Sequence, residues 1–161
     1  MDNNLEKEIG LWLTAQRRTL ATAESCTGGL IASRITDIAG SSDYFLGGVV
    51  AYSNQAKAEV LGISESTLIT QGAVSQQTVE EMAQGAAALF AADVAISISG
   101  IMGPGGGSEQ KPVGTTWICV LVEGVPVSKC YRFTGDRVAN KQAAAETALG
   151  LLLARLKGQL A

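Results

Sequence analysis

Ser25 and Lys57 stand out as chemistry because the chain contains no histidine at all. That absence excludes a Ser-His-Asp triad, a Cys-His dyad and every histidine-ligated metal site. A hydroxyl nucleophile must then give its proton to another base, and lysine leads, as in the Ser-Lys variants of the triad. Ser25 lies in Ala21-Thr-Ala-Glu-Ser-Cys-Thr-Gly-Gly-Leu30. There a β-like run from Arg18 to Ala23 passes through a Ser/Thr/Gly turn into apolar residues at Leu30, Ile31, Ile35 and Ile38, spaced for one helix face. Such a turn places small polar groups at a helix N-terminus, where free N–H groups and the helix dipole favour an anion or a developing oxyanion. Thr27, Gly28 and Gly29 are therefore candidate substrate contacts. The competing reading makes Ser25 or Thr27 an N-cap and the glycine pair a packing device. Cys26 is the rival nucleophile, but without an imidazole or a metal nothing obvious lowers its pKa, and Ser25 is preferred.

Tyr52 and Lys57 flank a second strand-to-helix junction, and two such junctions can converge at one edge of an α/β sheet, where these folds place ligands. To serve as a base near neutral pH, Lys57 must lower its pKa from about 10.4 to near 7, at a cost on the order of 4 kcal/mol in burial or like charge. A solvated lysine and a packing tyrosine are the alternative. The loop Gly103-Pro-Gly-Gly-Gly-Ser108 could cradle phosphate on the N–H groups of Gly105, Gly106 and Gly107, or be a plain connector. It fits neither a dinucleotide fingerprint nor a P-loop, since Lys111 is followed by Pro112. Ser108-Glu-Gln-Lys111 matches S-x-x-K, but three glycines before it and Pro112 after it argue against the helix that motif needs. Arg137, in Gly135-Asp-Arg, is either a surface charge beside a helix cap or a carboxylate or phosphate clamp.

The elements that must position these residues follow from periodicity. Leu5, Ile9, Trp12 and Leu13 predict a helix over 3–16, and the helix after Ser25 is expected to run to about Ala39, stopped by Gly40-Ser-Ser. Tyr44–Tyr52 reads as one strand or two broken at Gly47-Gly48. Ser53 caps a short helix ended by Gly62, Thr67–Gly72 is expected to be a linker, and Ser75 opens a long helix to about Ala91. Asp93–Gly100 is a buried strand. Val113–Val122 and Val125–Phe133 form a hairpin around Glu123-Gly124, and a last helix runs from Gly135-Asp-Arg to about Leu156. The order predicts an α/β fold: a three-layer α/β/α single domain over 1–161 with a mixed, mostly parallel sheet.

Composition supports one domain with a real core: 161 residues, 47% of them hydrophobic. With 17% charged residues and a net charge of −3 there is no basic footprint for nucleic acid. No apolar run reaches the roughly eighteen residues of a membrane helix, and the first residues are not signal-like, so a cytoplasmic protein is expected. The three cysteines form no CxxC, which argues against a disulfide framework or zinc site. A weakly charged, apolar chain of this size is compatible with a homo-oligomer.

In order, Ala23-Glu-Ser-Cys-Thr-Gly-Gly29, Tyr52-Ser-Asn-Gln-Ala-Lys57, Gly72-Ala-Val-Ser75, Ser97-Ile-Ser-Gly-Ile-Met-Gly-Pro-Gly-Gly-Gly-Ser108, Lys111-Pro-Val-Gly-Thr115 and Gly135-Asp-Arg137 resemble the CinA C-terminal domain family, over about residues 5–157. The resemblance implies hydrolysis of nicotinamide mononucleotide to nicotinate mononucleotide and ammonia, in pyridine-nucleotide recycling. It also implies a serine nucleophile, a lysine base and a nearby tyrosine, which map onto Ser25, Lys57 and Tyr52, with no metal or other cofactor and a small nucleotide as the partner. Tyr52 would orient Lys57 or relay its proton to ammonia, Thr27-Gly28-Gly29 would hold the oxyanion, and the phosphate would sit on Gly105-Gly106-Gly107 or near Arg137. Three positions depart from the family pattern: Met102 replaces a usual alanine, Asn140 a usual aliphatic residue, and Lys141 a second arginine. The alternative they allow is a diverged nucleotide-binding or regulatory module with little amidase activity; an amidase for another small amide is a third reading.

Overall fold

The computed structural model describes residues 4–160. Its elements are α1 (Asn4–Gln16), β1 (Leu20–Glu24), α2 (Leu30–Thr36), β2 (Phe45–Val50), α3 (Asn54–Leu61), α4 (Glu65–Thr70), α5 (Gln76–Phe90), β3 (Val94–Gly100), β4 (Thr115–Val122), β5 (Val125–Arg132) and α6 (Arg137–Leu156). The five strands form one sheet in the order β2-β1-β3-β4-β5. β1 pairs in parallel with both β2 and β3, while β4 is antiparallel to β3 and β5 to β4. The mixed sheet, parallel at its core and flanked by helices, is the three-layer α/β arrangement that the element order implies.

Alternation along β1 separates the two layers. Leu20 joins Ile96, Ile98, Ile118 and Val120 under α1, α2 and α6, whereas Ala21 and Ala23 join Ala95, Cys119 and Leu121 under α3 and α5. On the first face Ile9, Leu13, Ile31, Leu149 and Leu152 are fully buried, each such side chain contributing about 1.5–3 kcal/mol. The second face is lined by small residues, so α5 lies close. A Cβ on Gly85 would come within 2.0 Å of the Leu61 carbonyl oxygen, and glycine there is what lets α5 approach the end of α3.

Local chemistry explains the boundaries. Ser53, Ser75 and Asp136 each accept a hydrogen bond from the N–H three residues on, opening α3, α5 and α6, and Gly62 closes α3 in the left-handed region. Glu123 and Gly124 both have positive φ, as a two-residue hairpin turn requires. Two expectations need correction. α2 stops at Thr36 rather than near Ala39, where the chain tightens into turns and then a single 3-10 turn, Ser41–Asp43. The expected linker over Thr67–Gly72 is largely helix α4, capped by Ser64 and held by Glu81 of α5, whose carboxylate accepts from the Ser64 N–H and the Thr67 hydroxyl. Six residues carry too little intrinsic preference to announce that helix; the α5 carboxylate makes it.

Candidate active site

Parallel strands flank β1 on both sides, so its C-terminal end is the point where successive connections diverge, the usual ligand position in such sheets. Ser25 is the first residue beyond β1, its N–H still bonded to the Ile98 carbonyl of β3. Lys57 comes from α3, which follows β2, and Gly100 ends β3. The three connections thus deliver their residues to one place. They line a cleft of about 270 Å³ with Cys26, Tyr52, Asn54, Ala73, Val74, Ser99, Ile101, Met102, Gly103, Gly105, Gly106 and Arg137. A larger groove of about 920 Å³ along α5 and Trp117 contains neither Ser25 nor Lys57; the smaller cleft is the one that holds both.

Lys57 is 2% exposed, and its Nζ lies 3.0 Å from Ser25 Oγ and 3.0 Å from the Ala51 carbonyl oxygen. No ion pair involves it among the described residues. Burial therefore lowers its pKa below the ordinary 10.5, opposed only by the Cys26 thiol. That thiol is itself pushed up to about 12, chiefly by burial, so it stays protonated near neutral pH and offers neither a competing nucleophile nor a counter-charge. With one N–H committed to the Ala51 carbonyl, a neutral Lys57 amine can turn its lone pair to the Ser25 hydroxyl.

The turn after Ser25 is held by Glu24. Its buried carboxylate accepts from the Thr27 hydroxyl at 2.7 Å and from the N–H groups of Ile31 and Ala32 at 2.9 and 3.0 Å. The oxyanion role expected of the turn belongs to the backbone N–H groups of Thr27, Gly28 and Gly29, and that of Gly28 is already committed. The Thr27 side chain is spent on Glu24, the Gly28 N–H on the Ser25 carbonyl, and neither they nor Gly29 line the cleft. The Cys26 N–H makes no hydrogen bond to another residue among those described, and Cys26 does line the cleft.

Across the cleft, Arg137 donates to the Gly103 carbonyl at 2.8 Å and to the Tyr52 hydroxyl at 2.9 Å. Tyr52 is 62% exposed, so its hydroxyl belongs to the rim, against Arg137, and not to Lys57 as expected. Gly105 and Gly106 face the cleft; Gly107 does not, being packed against Val113, and so drops out of the expected phosphate cradle. Lys141, one turn beyond Arg137 on α6, brings its Nζ within 3.9 Å of where a Gly28 Cβ would lie. Lys141 lies beside the glycine turn and not among the cleft-lining residues; neither cation is in an ion pair among the described residues, so Arg137 is the cation that can meet an anion in the cleft. Met102 lines the cleft with its side chain buried in the core. The S-x-x-K segment is a turn, with the Lys111 N–H bonded to the Ser108 hydroxyl and the Lys111 Nζ to the Gln71 carbonyl. Sequence reasoning missed the Ala51 carbonyl and the Glu24 cap, which a backbone acceptor and a capping residue six positions upstream do not advertise. Asn54, Ala73, Val74 and Ser99 were missed too, although the period-2 pattern of Ser97 and Ser99 puts both on one face; their hydroxyls tie β3 to the Val79 and Ala73 carbonyls.

A parallel-cored α/β domain with a buried lysine on a serine at a strand end has direct relatives. Residues 2–156 match the model of the CinA C-terminal domain, and the chain belongs to that family. It is 51% identical over 151 residues to the nicotinamide-nucleotide amidohydrolase PncC of Escherichia coli K12, covering 92% of this chain and 90% of that one. A CinA-like protein of Desulforapulum autotrophicum is also 51% identical, over 94% of this chain, but the match spans only 36% of that longer protein. The crystal structure of competence damage-inducible protein A from Klebsiella pneumoniae superposes with a TM-score of 0.94 at 37% identity, over 96% of both chains.

Proposed function

We propose that the protein hydrolyses the carboxamide of nicotinamide mononucleotide, releasing ammonia and nicotinate mononucleotide, with Ser25 as nucleophile and Lys57 as its base. The 3.0 Å contact between a lysine buried without a counter-charge and the Ser25 hydroxyl carries the reading; the 51% identity to PncC supports the substrate. Neutral Lys57 takes the Ser25 proton as Oγ attacks the carboxamide carbon. The oxyanion is received by the Cys26 N–H, the amide next after the nucleophile. Protonated Lys57 passes its proton to the leaving nitrogen, the C–N bond breaks and ammonia departs. Water, deprotonated by Lys57, then attacks the acyl-enzyme, the ester bond breaks, and the protonated Lys57 returns the proton to the Ser25 oxygen. The phosphate sits on the Arg137 wall, helped by the amides of Gly105 and Gly106. Tyr52 serves there by holding Arg137 rather than by relaying protons.

The test is ammonia release from nicotinamide mononucleotide in the presence of EDTA. Turnover is expected from the native protein and a fall of at least about 10³-fold in Ser25→Ala and in Lys57→Ala, each checked for folding. Turnover in folded Ser25→Ala overturns the mechanism. A native protein that binds the nucleotide without releasing ammonia is a binding module.

A further inference from the structure

The glycine loop and the first turn of α6 meet at a buried side chain that the chemistry above leaves unused. Asn140 is 1% exposed. Its Nδ2 donates to the Met102 carbonyl at 3.0 Å, and its Oδ1 accepts from the Gly135 N–H at 2.9 Å. One amide thus joins the loop after β3, the turn leading into α6 and the helix itself. The turn closes this tightly only because residue 135 is glycine: a Cβ there would lie 2.8 Å from the Ala139 Cβ and 3.3 Å from Asn140 Oδ1. Arg137, three residues before Asn140, reaches the next carbonyl along the loop, that of Gly103.

The two tethers differ in kind. Arg137 is solvent-exposed, and its guanidinium is the group an incoming anion would engage, so its bond to Gly103 competes with ligand. The Asn140 side chain is buried, and its bond to the Met102 carbonyl lies in the interior, where it competes with no ligand. We propose that Asn140 is a positioning residue: it locks the Met102–Gly106 loop to the N-terminal turn of α6, so that Arg137 and the loop amides keep their spacing while Arg137 turns to the anionic part of the substrate. The inference rests on the reading that this cleft binds a nucleotide. In this chain, where Asn140 stands for the family's usual aliphatic residue, an aliphatic side chain at 140 would leave the buried Met102 carbonyl and the N–H of the exposed Gly135 turn without their partner, and the loop would shift to find water. Ser25 and Lys57 stand on other elements and are not reached by that shift.

The test is steady-state kinetics with nicotinamide mononucleotide for Asn140→Val, Arg137→Ala and the double variant, with thermal melts to establish folding. Asn140→Val is expected to raise KM about tenfold with kcat within about threefold, and the double variant to match Arg137→Ala within about twofold. A KM unchanged by Asn140→Val, a loss confined to kcat, or effects that multiply in the double variant overturn the proposal. If Asn140→Val does not fold, Asn140→Asp, which keeps the acceptor for Gly135 and loses the donor to Met102, takes its place with the same expectations. If the native protein releases no ammonia, the amidase reading fails by itself, and amide hydrogen exchange of the folded variant decides the inference. Faster exchange confined to Met102–Gly106 upholds it, and native-like exchange there overturns it.

Discussion

Lys57 combines an ordinary residue type with an uncommon place. Burial disfavours its charged form, so its folded pKa lies below 10.5. Under the proposed mechanism, kcat/KM rises with pH as Lys57 deprotonates and levels off above that lowered pKa, still short of 10.5; a profile flat from pH 6 to 10 would exclude lysine as the base. Stability follows the same ionisation. Between the lowered pKa and 10.5 the unfolded chain binds more protons at this residue than the folded one, so stability rises with pH across that window. The burial cost is full below it and absent above it, and Lys57→Met is expected to flatten that rise in denaturant titrations. The pair itself was legible in the sequence, because a chain without histidine leaves few bases for a serine. Its environment was not: the Ala51 carbonyl that orients Nζ is a backbone atom, and the depth of Lys57 depends on how α3 packs.

At the scale of elements, each site residue sits where a strand ends and a helix or loop begins, and the caps that set those junctions were largely written in the sequence. Ser53, Gly62, Ser75 and Asp136 act where residue type alone puts them. The junction after β1 works differently. Its cap is a carboxylate from the strand itself, Glu24, which reaches forward to three donors in and before α2, while the left-handed Gly29 lets the chain turn into the helix. Only the assembled turn discloses this, since a glutamate six residues before a helix is no capping signature. Glu24→Ala is expected to strip a buried N–H, a half-buried N–H and a buried hydroxyl of their acceptor, at a cost of about 2–4 kcal/mol, read as a fall of roughly 5–15 °C in Tm. A change under about 1 kcal/mol would show that the turn holds without it. Helix α4 was illegible for a related reason: the carboxylate that stabilises it comes from Glu81, in the next helix.

Over the whole molecule, the helices on the α6 side are joined by charge as well as by leucines. Arg34 of α2 donates from Nε to Glu6 of α1 at 2.5 Å and from an Nη to Glu146 of α6 at 2.6 Å, with the Glu6 side chain only 1% exposed. Glu6 has one oxygen without a hydrogen-bond partner, so Arg34 carries its compensation almost alone. Arg34→Met is expected to leave a buried uncompensated carboxylate and to destabilise the protein by about 3–5 kcal/mol in urea unfolding, whereas Glu146→Gln, at the exposed end, costs no more than about 1 kcal/mol. Equal effects would mean that the network shares its load evenly. The layering and strand directions were readable from the alternation of strand and helix patterns followed by a hairpin. That Gly103 and Arg137 both join the expected Ser25–Lys57 junction in one cleft was not, because it follows from the strand order, which places β1 between β2 and β3.

That strand order also sets a timetable for synthesis. Ser25 and Lys57 follow the first two strands, whereas Arg137 and Asn140 open α6, the last of the described elements in chain order. A ribosome therefore makes Ser25 and Lys57 well before Arg137 and Asn140, the residues proposed to bind and position the anionic part of the substrate. It also completes the pair before the leucines of α6 cover the face of the sheet they bury. A chain ending short of α6 would carry Ser25 and Lys57 without Arg137, and would leave Ile96, Ile98, Ile118 and Val120 without the leucines that cover them.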